Sequence, residues 1–165
     1  MKKVFLFFIS LFLLNACSFD SNQDQGKIGQ IGAEISAKDT LGKAVKLADD
    51  KSNIKVLVFF QNGCPSCLQE LPSLDKFMQE HPNKISVYAI NSVDKVEVVQ
   101  VLAEQLNFKN IKVLTDDLKI TNDRYAVFAT PTTIILKDGI IKERILGEKP
   151  WQTFESKLIS LLYFL

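Results

Sequence analysis

An α/β domain is the fold class that this 165-residue chain predicts, and three observations carry the prediction. Apolar runs rich in β-branched and aromatic residues, 54–60 and 84–91, alternate with amphipathic stretches of helical period, the pattern of parallel strands joined by helical crossovers. Further on, two strand-like runs flank Asp138-Gly139, a strong hairpin signal. Two of the three cysteines lie in "NGCPSC", where the first apolar run gives way to a helical pattern. The length suits one domain with a full-sized core.

The elements follow in order. Residues 1–16 open with Lys2-Lys3 and continue "VFLFFISLFLLNA", a basic start, a short apolar core and a small residue, which reads as a signal peptide. The apolar stretch is shorter than the roughly 20 residues of a membrane-spanning helix. Residues 17–29 are polar and contain glycine, and read as a flexible tether, with the domain expected over 30–165. "AEISAKDTLGKAVKLAD" places an Asp-Thr-Leu-Gly turn between two alternating segments, a hairpin. "IKVLVFF" (54–60) is apolar on both faces, as a central buried strand should be.

From Pro65 a helix is expected, with Pro65 in its first turn and Leu68, Leu71, Leu74 (or Asp75) and Met78 on its buried face. Pro72 should kink it, and His81-Pro82-Asn83 should end it. A second strand (84–91), an amphipathic helix (93–108) and a short strand (111–116) come next. "DLKITNDRYAV" reads as a short helix, "TTIIL" and "IIKERIL" as the hairpin, and the last stretch as an apolar-faced helix with Pro150 in its first turn.

Charge narrows the partners. With 20 basic and 19 acidic residues the chain carries +1, and loss of Lys2 and Lys3 with residues 1–16 leaves 18 basic against 19 acidic. A near-neutral domain gives no reason to expect a nucleic-acid partner. An exported chain meets an oxidising environment, so Cys64 and Cys67 can form a disulfide.

A helix N-terminus presents unpaired N–H groups and partial positive charge, both of which favour a thiolate. Cys64, just before the helix, is therefore the expected nucleophile, and Cys67, one turn further in, the residue placed to resolve a mixed disulfide. A zinc site needs two more ligands, and beyond the leader and Cys17 the chain has no other candidate cysteine and a single His81, read as a surface residue at a helix end, so zinc is not expected. A purely structural bridge is little needed in a domain of this size. Thr130-Pro131 immediately precedes the strand "TTIIL", a position where proline is unusual and a cis bond would be a kept feature.

Buried strand, C-x-x-C opening a helix, later Thr-Pro before a hairpin, and a final helix together resemble the thioredoxin fold. The closer resemblance is to the membrane-tethered TlpA/ResA/CcmG-like branch, with an N-terminal β-hairpin and a central αβ insertion. "CPSCLQELPSL" is similar to its C-x-x-C-x-x-E-x-P helix start, and "YAVFATPTTIILKDG" to its Y-x-V-x-x-T-P-T-T stretch. Leu14-Asn15-Ala16-Cys17 resembles the bacterial lipoprotein box, which implies Cys17 as a lipidated first residue of the mature chain.

The resemblance implies a cis Pro131 facing the disulfide, and Thr130 and Pro131 as a substrate platform flanked by Gly63, Pro65 and Ser66. It also implies Glu70 as a residue that influences cysteine acidity. Two departures stand out: Gly63 occupies the place of a usual Trp, so that flank should be open and mobile. Val58 stands where thioredoxins proper carry a buried Asp.

The implied function is a lipid-anchored, periplasm-facing thiol–disulfide oxidoreductase of the bacterial envelope, reducing exported protein disulfides such as that of apocytochrome c. Its electrons would come from a membrane donor of the CcdA/DsbD type, and it would need no cofactor beyond the Cys64–Cys67 pair and no metal. The alternatives are a disulfide oxidase or isomerase and, in another class, a non-enzymatic thioredoxin-fold binding lipoprotein. A copper chaperone would need C-x-x-x-C, and a peroxiredoxin Thr-x-x-Cys, and the chain has neither.

Overall fold

The computed structural model describes residues 26–164; the expected signal peptide, Cys17 and most of the expected tether lie outside the described residues. Among them, no helix is long and apolar enough to cross a membrane.

Among the described residues, seven strands form one mixed sheet in the order β2 (Ala44–Val45), β1 (Ala37–Asp39), β5 (Lys112–Thr115), β4 (Ile85–Asn91), β3 (Ile54–Phe60), β6 (Thr132–Lys137), β7 (Ile140–Leu146). β3 (Ile54–Phe60) and β4 (Ile85–Asn91) are parallel and joined by helix α1 (Pro65–Glu80). β4 continues through α2 (Val96–Leu106) into the parallel β5 (Lys112–Thr115), which is the expected αβ insertion. A short helix α3 (Ile120–Arg124) then leads to the antiparallel pair β6 (Thr132–Lys137) and β7 (Ile140–Leu146), and α4 (Trp151–Tyr163) closes the chain. The N-terminal hairpin, β1 (Ala37–Asp39) and β2 (Ala44–Val45), docks antiparallel on β5. This is the thioredoxin-like α/β fold.

β3 lies between β4 and β6 and is apolar on both faces because both faces are covered. One face, with Val56, Val58 and Phe60, packs under α1 and α4 with Leu71, Leu74, Phe77, Phe154 and Leu158. The other, with Leu57 and Phe59, packs under the N-terminal segment and the chain after α3 through Ile35, Leu47, Tyr125 and Val127.

Three details depart from the sequence reading, and one of its alternatives is met on both sides, since Leu74 and Asp75 are both buried. Leu68 is 45% exposed, and Phe77 is buried in its stead. Asp75 shares the buried face because its carboxylate accepts the backbone N–H groups of Asn110 (2.8 Å) and Ile111 (3.3 Å), tying α1 to the chain entering β5. Pro150 caps α4 from outside its first turn. Residues 26–29, expected in the tether, already meet the domain: Gly29 N–H donates to Ile141 O (2.8 Å), and Gly26 sits at φ +84° with Tyr125 O only 2.7 Å from where a Cβ would be.

Candidate active site

The chain leaves β3 at Phe60, turns through residues 61–63 and enters α1 at Pro65. Cys64 is the N-cap of that helix, in extended backbone (φ −96°, ψ 97°), and Pro65 takes the first position, where a missing N–H loses nothing. Cys64 Sγ accepts the backbone N–H of Cys67 at 3.3 Å, so the sulfur does the work that a Ser or Asp oxygen does at an ordinary cap. Cys64 and Cys67 are joined in a disulfide. Cys64 keeps 6% of its surface exposed and Cys67 none. When the bond opens, the helix N-terminus and the Cys67 amide both favour charge on Cys64, while the apolar surroundings of Cys67 favour its neutral thiol.

Gly63 has φ +70° with no atom within 4 Å of a would-be Cβ, so its flank is open. Ser66 is half-buried and Pro65 exposed at the same helix start. The loop is gripped from β4: Asp94 Oδ2 accepts Asn62 N–H at 2.7 Å and the Asn91 side-chain amide at 2.8 Å. Asn91 Oδ1 in turn accepts Val93 and Asp94 N–H. Sequence reasoning missed Asp94, because a polar loop residue gives no local sign of a partner some thirty positions away.

The Thr130–Pro131 peptide bond is cis. Antiparallel pairing sets Thr132 opposite Phe59 and Thr133 opposite Val58, so Pro131 lies at the end of the sheet from which the chain runs to Cys64. Pro131 is buried and Thr130 half-buried. Pro131 O accepts Gly147 N–H (2.9 Å), and Thr132 Oγ1 donates to Ala129 O (2.7 Å). Arg144 donates to Tyr125 O (2.7 Å) and Ala126 O (2.6 Å), fixing the segment that leads to the proline.

Glu70 lies one helical turn beyond Cys67, half-buried, and its Oε1 accepts the Thr133 hydroxyl at 2.6 Å. Burial pushes its carboxyl up from the ordinary value; the Thr133 bond opposes this, and the charge of Glu148 adds to it. Glu70, Glu148, Lys149 and Trp151 share a cleft of about 190 Å³ beside Ser66. Val58 is fully buried, so no carboxylate occupies the β3 position under the cysteines. His81 closes α1, its ring stacked on Phe77 with centroids 4.2 Å apart. Cys17 lies outside the described residues.

Comparison with known proteins agrees with the fold. The model of the AhpC/TSA family matches residues 28–144. The thioredoxin-like protein YneN of Bacillus subtilis is 32% identical over 134 residues, covering 79% of this chain and 78% of that protein. The thiol-disulfide oxidoreductase ResA of Halalkalibacterium halodurans is 21% identical over 73% of this chain and 69% of its own length. Among solved structures, the pneumococcal exposed lipoprotein thioredoxin Etrx1 of Streptococcus pneumoniae superposes with a TM-score of 0.68 at 22% identity, covering 78% of this chain and 99% of that one.

Proposed function

Because the chain belongs to the AhpC/TSA family and is a thioredoxin-like thiol–disulfide oxidoreductase, we propose that it works as a reductant of disulfides in exported proteins. The observation that carries the reading is the Cys64 sulfur at the N-terminus of α1, accepting the Cys67 N–H, with Cys67 wholly buried behind it. In the reduced enzyme the Cys64 thiolate attacks one sulfur of a partner's disulfide. A mixed disulfide forms, and the partner's other sulfur leaves as a thiolate that takes up a proton. Cys67, losing its proton, attacks Cys64 Sγ; the Cys64–Cys67 bond forms and the partner departs with both cysteines reduced. Two electrons pass from enzyme to partner, and a membrane donor of the CcdA/DsbD type restores the dithiol.

Thr130 and Pro131, with Gly63, Pro65 and Ser66, are the proposed platform for the extended substrate chain, and Glu70 the residue that tunes the thiols. Apocytochrome c is the proposed substrate, by resemblance to the ResA/CcmG branch. Residues 1–16 are proposed as a lipoprotein signal peptide, Cys17 as the lipidated residue and the stretch after it as the tether, which puts the domain on the outer side of a bacterial membrane. The chemistry needs no cofactor other than the cysteine pair.

Electron direction is set by reduction potential, which varies widely among C-x-x-C proteins. Acid quenching of growing cells, followed by a mass-tagged alkylating agent, scores the pair directly. A reductant is largely dithiol in cells and becomes bridged when its membrane donor is deleted. A pair that is bridged whether or not the donor is present overturns the reductant reading in favour of substrate oxidation.

A further inference from the structure

We propose that Thr133 is a positioning residue for the thiol pair: its buried hydroxyl holds the Glu70 carboxyl one turn beyond Cys67, linking the strand that begins behind Pro131 to the helix that carries the cysteines. The inference rests on the reading of Glu70 as the residue that tunes the thiols.

Thr133 is 1% exposed, and its Oγ1–H donates to Glu70 Oε1 at 2.6 Å. It stands opposite Val58, so the hydroxyl enters the same layer from β6 where a carboxylate on β3 is missing. A neutral donor of this kind stabilises the ionised carboxyl, and a rigid β-branched residue fixes where that charge sits. Thr133 is two residues beyond the cis proline, so platform and carboxyl share one stiff strand.

The groups that face Glu70 are few. Thr133 meets it from β6, Glu148 and Lys149 lie across the cleft, and α4 contributes the uncharged Trp151 and Phe154, while on its own helix Cys67 precedes it by one turn. An ionised Glu70 opposes a thiolate formed nearby, so a residue that favours the ionised form holds the thiols less acidic.

The test is the pH profile of thiol alkylation in the reduced full-length chain, purified in detergent, for wild type, T133V, T133A, T133S, E70Q and the T133V/E70Q pair. Removing the hydroxyl leaves Glu70 neutral to higher pH, so T133V and T133A lower the alkylation midpoint by about half a pH unit or more, roughly a threefold change in thiolate population. E70Q moves it the same way, T133S keeps the wild-type profile, and the double variant moves no further than E70Q, as expected of two residues acting through one interaction. A shift in E70Q with none in T133V or T133A overturns the role of Thr133 and leaves Glu70 standing. No shift in E70Q overturns the tuning role of Glu70 and the inference with it. A T133S profile matching T133A shows that the hydroxyl is irrelevant and also overturns it.

Discussion

The two faces of the sheet each half-bury a carboxyl group whose acidity is shifted, and the shifts run in opposite directions. Under α1 and α4, Glu70 has one side-chain donor, Thr133, and burial prevails, so its pKa is raised. On the face covered by the N-terminal segment, burial also works against the Asp50 carboxylate, but it is outweighed. Hydrogen bonds from Tyr88, Ser86 and Ser52 hold Asp50 at about 2. Between these two groups, the number of donors set against burial decides the direction. The helix-covered face is otherwise apolar around its two sulfurs. The other face, roofed largely by irregular chain, is held by polar anchors. There Tyr125 donates to Ala33 O (2.5 Å), and Glu34 accepts Leu47 and Ala48 N–H.

The sharpest way to break the comparison is to open the helix-covered face. Leu71 is fully buried on α1 one turn beyond Cys67, in the cluster that holds both cysteines. Leu71→Ala removes its transfer free energy and leaves a cavity, an expected loss of about 2–5 kcal/mol in chemical denaturation of the oxidised protein. A loss under about 1 kcal/mol would mean that this face repacks freely, and its apolar packing would not be a fixed property.

The pH dependence comes next, and the two carboxyls contribute with opposite sign. Asp50 has a folded pKa below its unfolded value of 3.8, so its stabilisation is present above that value and is lost as pH falls toward about 2. Glu70 has a folded pKa above its unfolded value, so it binds its proton more tightly when folded. Its contribution is greatest in acid and declines as pH rises from the ordinary carboxylate range through the raised pKa. Denaturation curves from pH 7 to 2.5 should therefore show a smaller acid loss in Asp50→Asn than in wild type. Glu70→Gln should flatten the decline on the rising-pH side. An unchanged acid limb in Asp50→Asn would remove the contrast between the faces.

How much of this could be read in the chain depends on whether the signal is periodic or paired. The strand 54–60 has the bounds expected, because a run apolar at six of its seven positions needs no partner to be recognised. The C-x-x-C at the head of a helix and the Thr-Pro before "TTIIL" were legible as local motifs, and the structure brings both to one end of the sheet. Pairwise features were not. Alternation puts Thr133 on the face of Ile135, yet nothing in "PTTII" says that its hydroxyl meets Glu70 sixty-three positions earlier. Nothing in "IIKERIL" says that Arg144 binds carbonyls of the loop before the proline, as it does. Leu68 fits a helical stripe as well as Leu71 does, yet it is left exposed while Phe77 takes a buried place on the same helix.

The smallest expected effect tests the loop that joins the faces at the cysteines. Gly63 holds φ +70° with open space where a side chain would stand, so a substitution meets backbone cost and no clash. Gly63→Ala should lower stability by about 1 kcal/mol, and Gly63→Asn by less, because Asn tolerates the left-handed region better. That ranking in thermal midpoint requires the positive φ to be kept, which the grip of Asp94 on Asn62 N–H supplies from the β4 loop. Asp94→Ala should release the turn, so that Gly63→Ala costs less in that background than in the wild-type chain. Equal stability of the glycine, asparagine and alanine forms with Asp94 intact would show a flank free to relax. The open side of Cys64 would then be set by mobility, and a neighbouring loop would have no part in holding it.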